Sequence, residues 1–197
     1  MDFYRAIAKR RSVYATTKES PVSEEKIEKL IKSIIDVAPS SFNSQSSRVV
    51  VLFGKKHEAF WKLVLKKLKE VTPKEQMEET KAKVNMLAES FGTILFYEDQ
   101  NIVANLQEAF PIYAENFPIW AEHSSAMLQY AIWTALEIEG MGATLQHYNP
   151  LIDEETAKKY KIPGSWKLIC QMPFGGIAEK PGKAEHIPVE EKIIVKK

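Results

Sequence analysis

The chain reads as an α+β protein, a sandwich of helices around a mixed sheet. Three observations predict this. Apolar residues recur at helical spacing over several segments. The strand-like runs are few and short, and helical patterns separate them. One segment, Ile119 to Glu139, is apolar around most of its circumference, so it should be central and buried on several sides. Strands distributed among helices must bury their faces against those helices, which gives a layered α+β arrangement.

The first helical pattern repeats Phe3, Ala6 and Ile7. Arg10 continues that spacing, so it lies on the inward face. A guanidinium cannot be deprotonated there and is costly unless something pairs it. An anionic ligand would pair it; the alternative is an Arg that snorkels to the rim of the helix end. Ser23 is an expected N-cap, with Glu24 and Glu25 in the first turn. Ile27, Leu30, Ile31, Ile34 and Ile35 form the stripe of that second helix. A turn-rich stretch, Ala38 to Gln45, ends it. Val49 to Phe53 is a continuous apolar run, expected as a buried strand closed by Gly54. Phe60 to Leu68 and Pro73 to Phe91 read as helices, and Ile94 to Tyr97 as a second strand. Asn101 to Phe117 reads as a helix, a loop and a helix start. Its Phe110, Tyr113 and Phe117 are candidates for a lid or for plain core. Gly140 and Gly142 end the central helix. Ala143 to Gln146 is expected as a strand, Asp153 as the cap of a short helix, and Trp166 to Met172 as a strand. In the tail, Ile193-Ile194-Val195 could add an edge strand to a partner's sheet.

Composition narrows the class. Apolar residues make up 45% and charged residues 27%, ordinary for a soluble globular protein. At 197 residues one domain, 1–197, is expected. A net charge of +1 gives no case for nucleic acid or a membrane surface. The lone Cys170 excludes an intrachain disulfide and fits a reducing compartment such as the cytoplasm. Cys170 lies in an apolar strand and reads as structural. Met1 to Arg11 is read as a structural helix rather than a signal peptide, and no uncharged apolar run is long enough to span a membrane. The histidines are scattered, so no metal site is expected. Dinucleotide-binding and phosphate-loop glycine patterns are absent.

Short motifs, taken in order, carry more. They are Lys9-Arg10-Arg11-Ser12, then Pro39-Ser40-Ser41-Phe42-Asn43-Ser44-Gln45, Gly92 to Asp99, Leu145-Gln146-His147-Tyr148-Asn149-Pro150, and Pro173-Phe174-Gly175-Gly176. Together they resemble the FMN-dependent nitroreductase family, over nearly the whole length. The later segments look like its small fungal and bacterial subgroup. The resemblance implies a three-layer sandwich with a mainly antiparallel sheet and a long central helix at a dimer interface. The arm from about residue 183 to 197 would be exchanged with the partner subunit.

It also implies a site. Arg10, Arg11 and Ser12 would line the ribityl-phosphate chain and pyrimidine edge of FMN. Tyr14 stands where the family often has a further basic residue. Pro39, Ser40, Ser41, Asn43 and Gln45 would reach the flavin from the other subunit. Ser46-Ser47-Arg48 replaces the Pro-Trp of larger members, as in the smaller subgroup. Gln146, His147 and Tyr148 occupy the place of the main-chain donors to flavin N5, without the Glu-Gly pair common in larger members. Lys183, with Lys180 as competitor, would reach the phosphate. The implied activity is NAD(P)H-dependent reduction of nitroaromatic or quinone-like acceptors by ping-pong hydride transfer. FMN carries the chemistry, so no catalytic side chain is expected, and the nicotinamide would stack transiently on the flavin. Alternatives are a peroxide-reducing flavoprotein of oxidative-stress defence and a flavin-storage or regulatory module.

Overall fold

The computed structural model describes residues 1–197. At its centre runs β3 (Gly92–Asp99), buried along nearly its whole length. It pairs antiparallel with β2 (Ser47–Phe53) on one side and β5 (Trp166–Ile177) on the other. Two short strands, β1 (Thr16–Thr17) and β4 (Gly142–Ala143), pair antiparallel with the last residues of β5. The expected mixed character is confined to one isolated parallel bridge, Ser12 to Ala143.

Alternation along β3 creates two cores. Ile94 and Phe96 point into one, Leu95 and Tyr97 into the other. A bulge in β5 serves both: Phe96 faces Cys170 while Tyr97 faces Leu168, leaving Ile169 as the extra residue. Leu168 and Cys170, two positions apart, thereby enter opposite cores. On the Ile94 face lie α2 (Glu24–Val37) and the long α6 (Phe117–Ile138), with α1 (Phe3–Lys9) leaning on α6. On the Leu95 face lie α3 (Gly54–Val71), α4 (Met77–Ala88) and α7 (Asp153–Tyr160). Following β3 in the chain, α5 (Gln100–Ala109) packs Val103 against Phe117 and Ala121 of α6. The three-layer α+β sandwich expected from the sequence is present.

Local chemistry explains the best-read elements. The Ser23 side chain accepts from the Lys26 N–H, and Ile27 and Ile31 are buried, each worth about 1.5–3 kcal/mol. α6 ends at Gly140, whose φ of +83° allows the Gly140 and Met141 N–H groups to close on the Glu137 and Leu136 carbonyls. At Gly175 a Cβ would stand 2.2 Å from the Thr17 carbonyl oxygen, so β1 can close on β5 only over a glycine.

Other elements differ from expectation. β2 is the sheet edge and mostly half-buried, because its apolar run borders both cores. α3 begins at Gly54 rather than Phe60; the left-handed φ of +48° at Gly54 turns the chain directly from strand into helix. The Pro73 to Phe91 helix contracts to a 3-10 turn, Lys74–Gln76, and α4. Asp153 is the first residue of α7, and Ile152 holds the cap position. The expected strand Ala143 to Gln146 shortens to β4 plus an isolated pairing of Gln146 with Gln171. Beyond Ile177 the tail holds only a 3-10 turn, Val189–Glu191, and Ile193-Ile194-Val195 is an exposed coil. α6 is not covered all round within this chain: Ile119, Met127 and Tyr130 face outward. Cys170 is buried in the core, which pushes its thiol up to about 12. No helix is long and apolar enough to cross a membrane.

Candidate functional site

The chain leaves α1 at Arg10, whose N–H still closes on Ala6 while its ψ of 124° turns the next residues extended. That turn lays Ser12 beside Ala143 in the parallel bridge, and the Val13 N–H donates to the Ala143 carbonyl at 3.0 Å. The Arg10-Arg11-Ser12 segment therefore runs next to β4 and the Gln146 to Tyr148 exit that follows it.

Arg10 is half-buried and turns toward α6 on the side of Ala6 and Ile7, whereas Phe3, expected on the same inward stripe, is exposed near the start of the chain. Its guanidinium stacks 4.2 Å from the Trp133 ring centroid and 5.5 Å from that of Tyr130. Such contacts are worth about 0.5–2 kcal/mol. They leave the positive charge without a carboxylate, since nearby Glu137 pairs with Lys9 at 3.7 Å. Arg10 Nε is buried without a partner. Arg11 faces the tail, where its Nη1 donates to the Gly182 carbonyl at 3.0 Å. Ser12 to Ala15 and Glu179 to Gly182 line a cleft of about 220 Å³ together with Met86. Lys183 follows directly and is exposed. The structure thus brings Arg11, Ser12 and the Lys180 to Lys183 segment to one place.

Gln171 shapes the next part. Its main chain pairs both ways with Gln146, at 2.7 and 2.9 Å, and its buried side-chain oxygen accepts from the Tyr148 N–H at 2.9 Å. Of the two expected main-chain donors after Gln146, that of Tyr148 is therefore occupied. The His147 N–H makes no main-chain hydrogen bond, and His147 is exposed. Burial, and then the proximity of Tyr14, push the Tyr148 phenol up to about 12.

The Pro39, Ser40, Ser41, Asn43 and Gln45 loop lies elsewhere. A 3-10 turn, Ser41–Asn43, is closed by the Asn43 N–H on the Ser40 carbonyl, and Ser40 Oγ accepts from the Gln45 N–H at 2.9 Å. Phe42, at its tip, packs among Phe110, Tyr113, Phe117 and Trp120. Of the expected lid residues, Phe117 is buried core, while Phe110 and Tyr113 stay partly exposed around Phe42. About 20 Å of helix axis separates Trp120, beside this loop, from Trp133, beneath Arg10, at 1.5 Å per residue. One protomer does not bring the two motifs together.

Size alone points elsewhere. A larger cleft, about 670 Å³, is a polar basin of Lys66, Lys67, Lys158, Lys159, Glu154 and Glu155, none of which carries a buried, unpaired polar atom. Sequence reading missed Phe42, the rings of Tyr130 and Trp133 under Arg10, and the role of Gln171. For Trp133 the signal was present, an aromatic at helical spacing from Tyr130, but nothing local ties it to Arg10.

A family model described as the nitroreductase family matches residues 7–176. The Saccharomyces cerevisiae protein HBN1 is 35% identical over 193 residues, 97% of this chain and 96% of its own length. Nitroreductase CinD from Lactococcus lactis, solved with nicotinic acid, is 42% identical with a TM-score of 0.92 over all of both chains. CinD has also been solved with chloramphenicol and with 4-nitrophenol. A nitroreductase with bound FMN from Desulfitobacterium hafniense shares the fold, at 18% identity and a TM-score of 0.72 over all of both chains.

Proposed function

The chain belongs to the nitroreductase family, and from that premise we propose that it is a homodimeric, FMN-dependent NAD(P)H oxidoreductase acting on nitroaromatic or quinone-like acceptors in the cytoplasm. The observation that carries this reading is Arg10: an inward cation with no carboxylate partner, its Nε unsatisfied, beside Arg11 and Ser12. A ligand with a phosphate and a polar, electron-accepting ring edge fits that set of donors. When bound, FMN would supply the redox chemistry, taking a hydride from NAD(P)H and passing it to the acceptor in a ping-pong cycle.

The chain's own residues bind and orient. Arg11 and Lys183, or Lys180, meet the phosphate, and Ser12 offers a short donor beside the ribityl chain. Arg10 places a fixed positive charge at the ring edge, where reduction builds negative charge. The His147 N–H, without a main-chain partner and next to Gln146, would be the donor to N5, while the Tyr148 N–H stays with Gln171. Pro39, Ser40, Ser41, Asn43 and Gln45 come from a second copy, which also covers Ile119, Met127 and Tyr130 on α6. The tail from about 183 to 197, with exposed Ile187, Val189, Ile193, Ile194 and Val195, wraps that copy. CinD's complexes with nicotinic acid and 4-nitrophenol support small planar aromatics as the class this chain admits.

Purified protein should carry FMN. Arg10→Ala should weaken FMN binding by about 2 kcal/mol or more, the scale of a charge-assisted contact; unchanged affinity removes Arg10 from the site. Mixing oxidised protein anaerobically with NADH or NADPH should bleach the flavin without acceptor, and acceptor should restore the colour. Bleaching that requires acceptor would mean a ternary complex instead. Light scattering should give a dimer, loosened by deletion of the residues after Gly182; a monomer holding stoichiometric FMN would remove the shared site.

A further inference from the structure

The loop between α2 and β2 holds three non-glycine residues in left-handed backbone: Phe42 and Asn43, at φ 56° and 50°, and Gln45, at φ 50°. Asn tolerates this; for Phe and Gln it costs roughly 1 kcal/mol each. Such a turn persists only where its surroundings over-determine it. The bonds within the loop are few and local.

Phe42 is held by the rings of Phe110, Tyr113, Phe117 and Trp120, and the restraint on the loop's exit comes from the end of β3. Glu98, almost fully buried, accepts from the Ser46 hydroxyl at 2.6 Å and from the Ser47 hydroxyl. The Asp99 N–H donates to the Ser46 carbonyl at 2.9 Å. Arg48 Nη1 donates to the Gln45 carbonyl at 2.6 Å and to the Ser47 carbonyl at 3.0 Å, and its Nη2 reaches Asp99 at 3.3 Å. The loop's exit is therefore gripped by a carboxylate on one side and a guanidinium on the other.

A buried carboxylate is a poor way to hold two strands together, since an apolar side chain of similar volume often does as well or better. What the charge adds is orientation. A group that only accepts, through two oxygens, turns both serine hydroxyls inward and leaves the exit of the loop one arrangement. We infer that Glu98, with Arg48, is a positioning residue for the cofactor site, holding the Pro39 to Gln45 loop in the left-handed shape in which it meets FMN. Glu98 acts through Ser46 and Ser47, since its burial keeps it from any ligand. The inference rests on the FMN reading above.

Its test is FMN affinity, followed as quenching of flavin fluorescence on adding apoprotein, read beside Tm in wild type, Glu98→Ala, Glu98→Gln and Leu87→Ala. Leu87 is buried in the opposite core, away from the loop, and serves as the stability control. Glu98→Ala should raise the FMN Kd about tenfold or more, the scale of losing bonds to a charged acceptor. Glu98→Gln, which keeps one acceptor, should fall between Ala and wild type while its Tm stays equal or rises. Leu87→Ala should lower Tm and leave Kd unchanged. An unchanged Kd in Glu98→Ala, or a Kd that merely follows Tm through every variant, overturns the positioning role. A wild type that takes no FMN overturns the functional reading itself, and the wild-type titration alone shows that. Should Glu98→Ala not fold, the double variant Ser46→Ala, Ser47→Ala removes the same two bonds and is judged by the same criteria.

Discussion

At one end β3 carries Thr93 and at the other Glu98; both are buried, and each anchors a polar network. The Thr93 network is neutral and complete. His57 Nε2 lies 3.0 Å from the Ala88 carbonyl, which can only accept, so that nitrogen carries the proton. His57 Nδ1 then accepts from the Thr93 hydroxyl at 2.8 Å, and Thr93 Oγ1 accepts from Trp61 Nε1 at 3.0 Å. The network ties α3, α4 and β3 into one core. At Glu98 the network is charged and ends in a strained loop rather than in packed helices. Two polar clusters on one strand thus serve different ends: one fixes the core, the other fixes a surface.

The comparison breaks most visibly at Thr93. Thr93→Val keeps the shape but strands the Trp61 N–H and the His57 Nδ1 lone pair. Leaving two buried groups unpaired should cost about 2–4 kcal/mol in chemical denaturation. FMN affinity, corrected for the folded fraction, should not change. A Thr93→Val protein that is fully stable but has lost FMN would reverse the assignment of roles to the two ends.

Much of this fold was legible in the sequence. The stripe from Ile27 to Ile35 with its Ser23 cap, the central helix apolar around most of its circumference and the Ile94 to Tyr97 run state their periodicity within a few residues. What stayed hidden depends on distant partners. The start of α3 is masked because Lys55, Lys56 and His57 carry no apolar signal until Thr93 and Ala88 are seen to enclose the imidazole. The bulge at Ile169 has no local signature; it exists because Leu168 and Cys170 must enter different cores. The site followed the same division. The inward turn of Arg10 was legible from spacing. Its stacking on Trp133, the closeness of Arg11 to Gly182 and the grip of Glu98 on the loop were not, since a carboxylate ending an apolar run reads as a chain leaving the core for water.

Acid should separate the networks next. Burial lowers the His57 pKa below its ordinary value of 6.5, outweighing the Ala88 hydrogen bond. The unfolded chain then binds the proton more readily than the folded one. The stability this contributes is present above pH 6.5 and is lost as pH falls through the depressed value in the folded state, with a slope of at most about 1.4 kcal/mol per pH unit for one proton. Denaturation midpoints between neutral pH and pH 5 should decline in wild type and decline less steeply in His57→Gln. Equal slopes would mean that His57 is protonated without penalty and that its network is not neutral.

The smallest effect has the opposite sign. Burial raises the Glu98 pKa above its ordinary value of 4.5, against the two serine hydrogen bonds and Arg48; Glu122 adds to the rise, while Asp99 follows the group on β3 and Lys167 lies opposite it on β5. The folded chain then binds the proton more readily than the unfolded one. Its contribution is fully present below the unfolded value and is lost as pH rises through the raised value, so at neutral pH the ionised group burdens the fold. Glu98→Gln removes the charge while keeping one acceptor, and it should stabilise the protein at pH 7 by no more than about 1 kcal/mol. That advantage over wild type should shrink as pH falls toward 4.5, where wild-type Glu98 takes up its own proton. The pH series of midpoint differences between Glu98→Gln and wild type reads this directly. A variant less stable than wild type at neutral pH, with a gap that does not change on acidification, would mean that the two serine bonds outweigh the buried charge and that Glu98, like Thr93, holds the core rather than the loop.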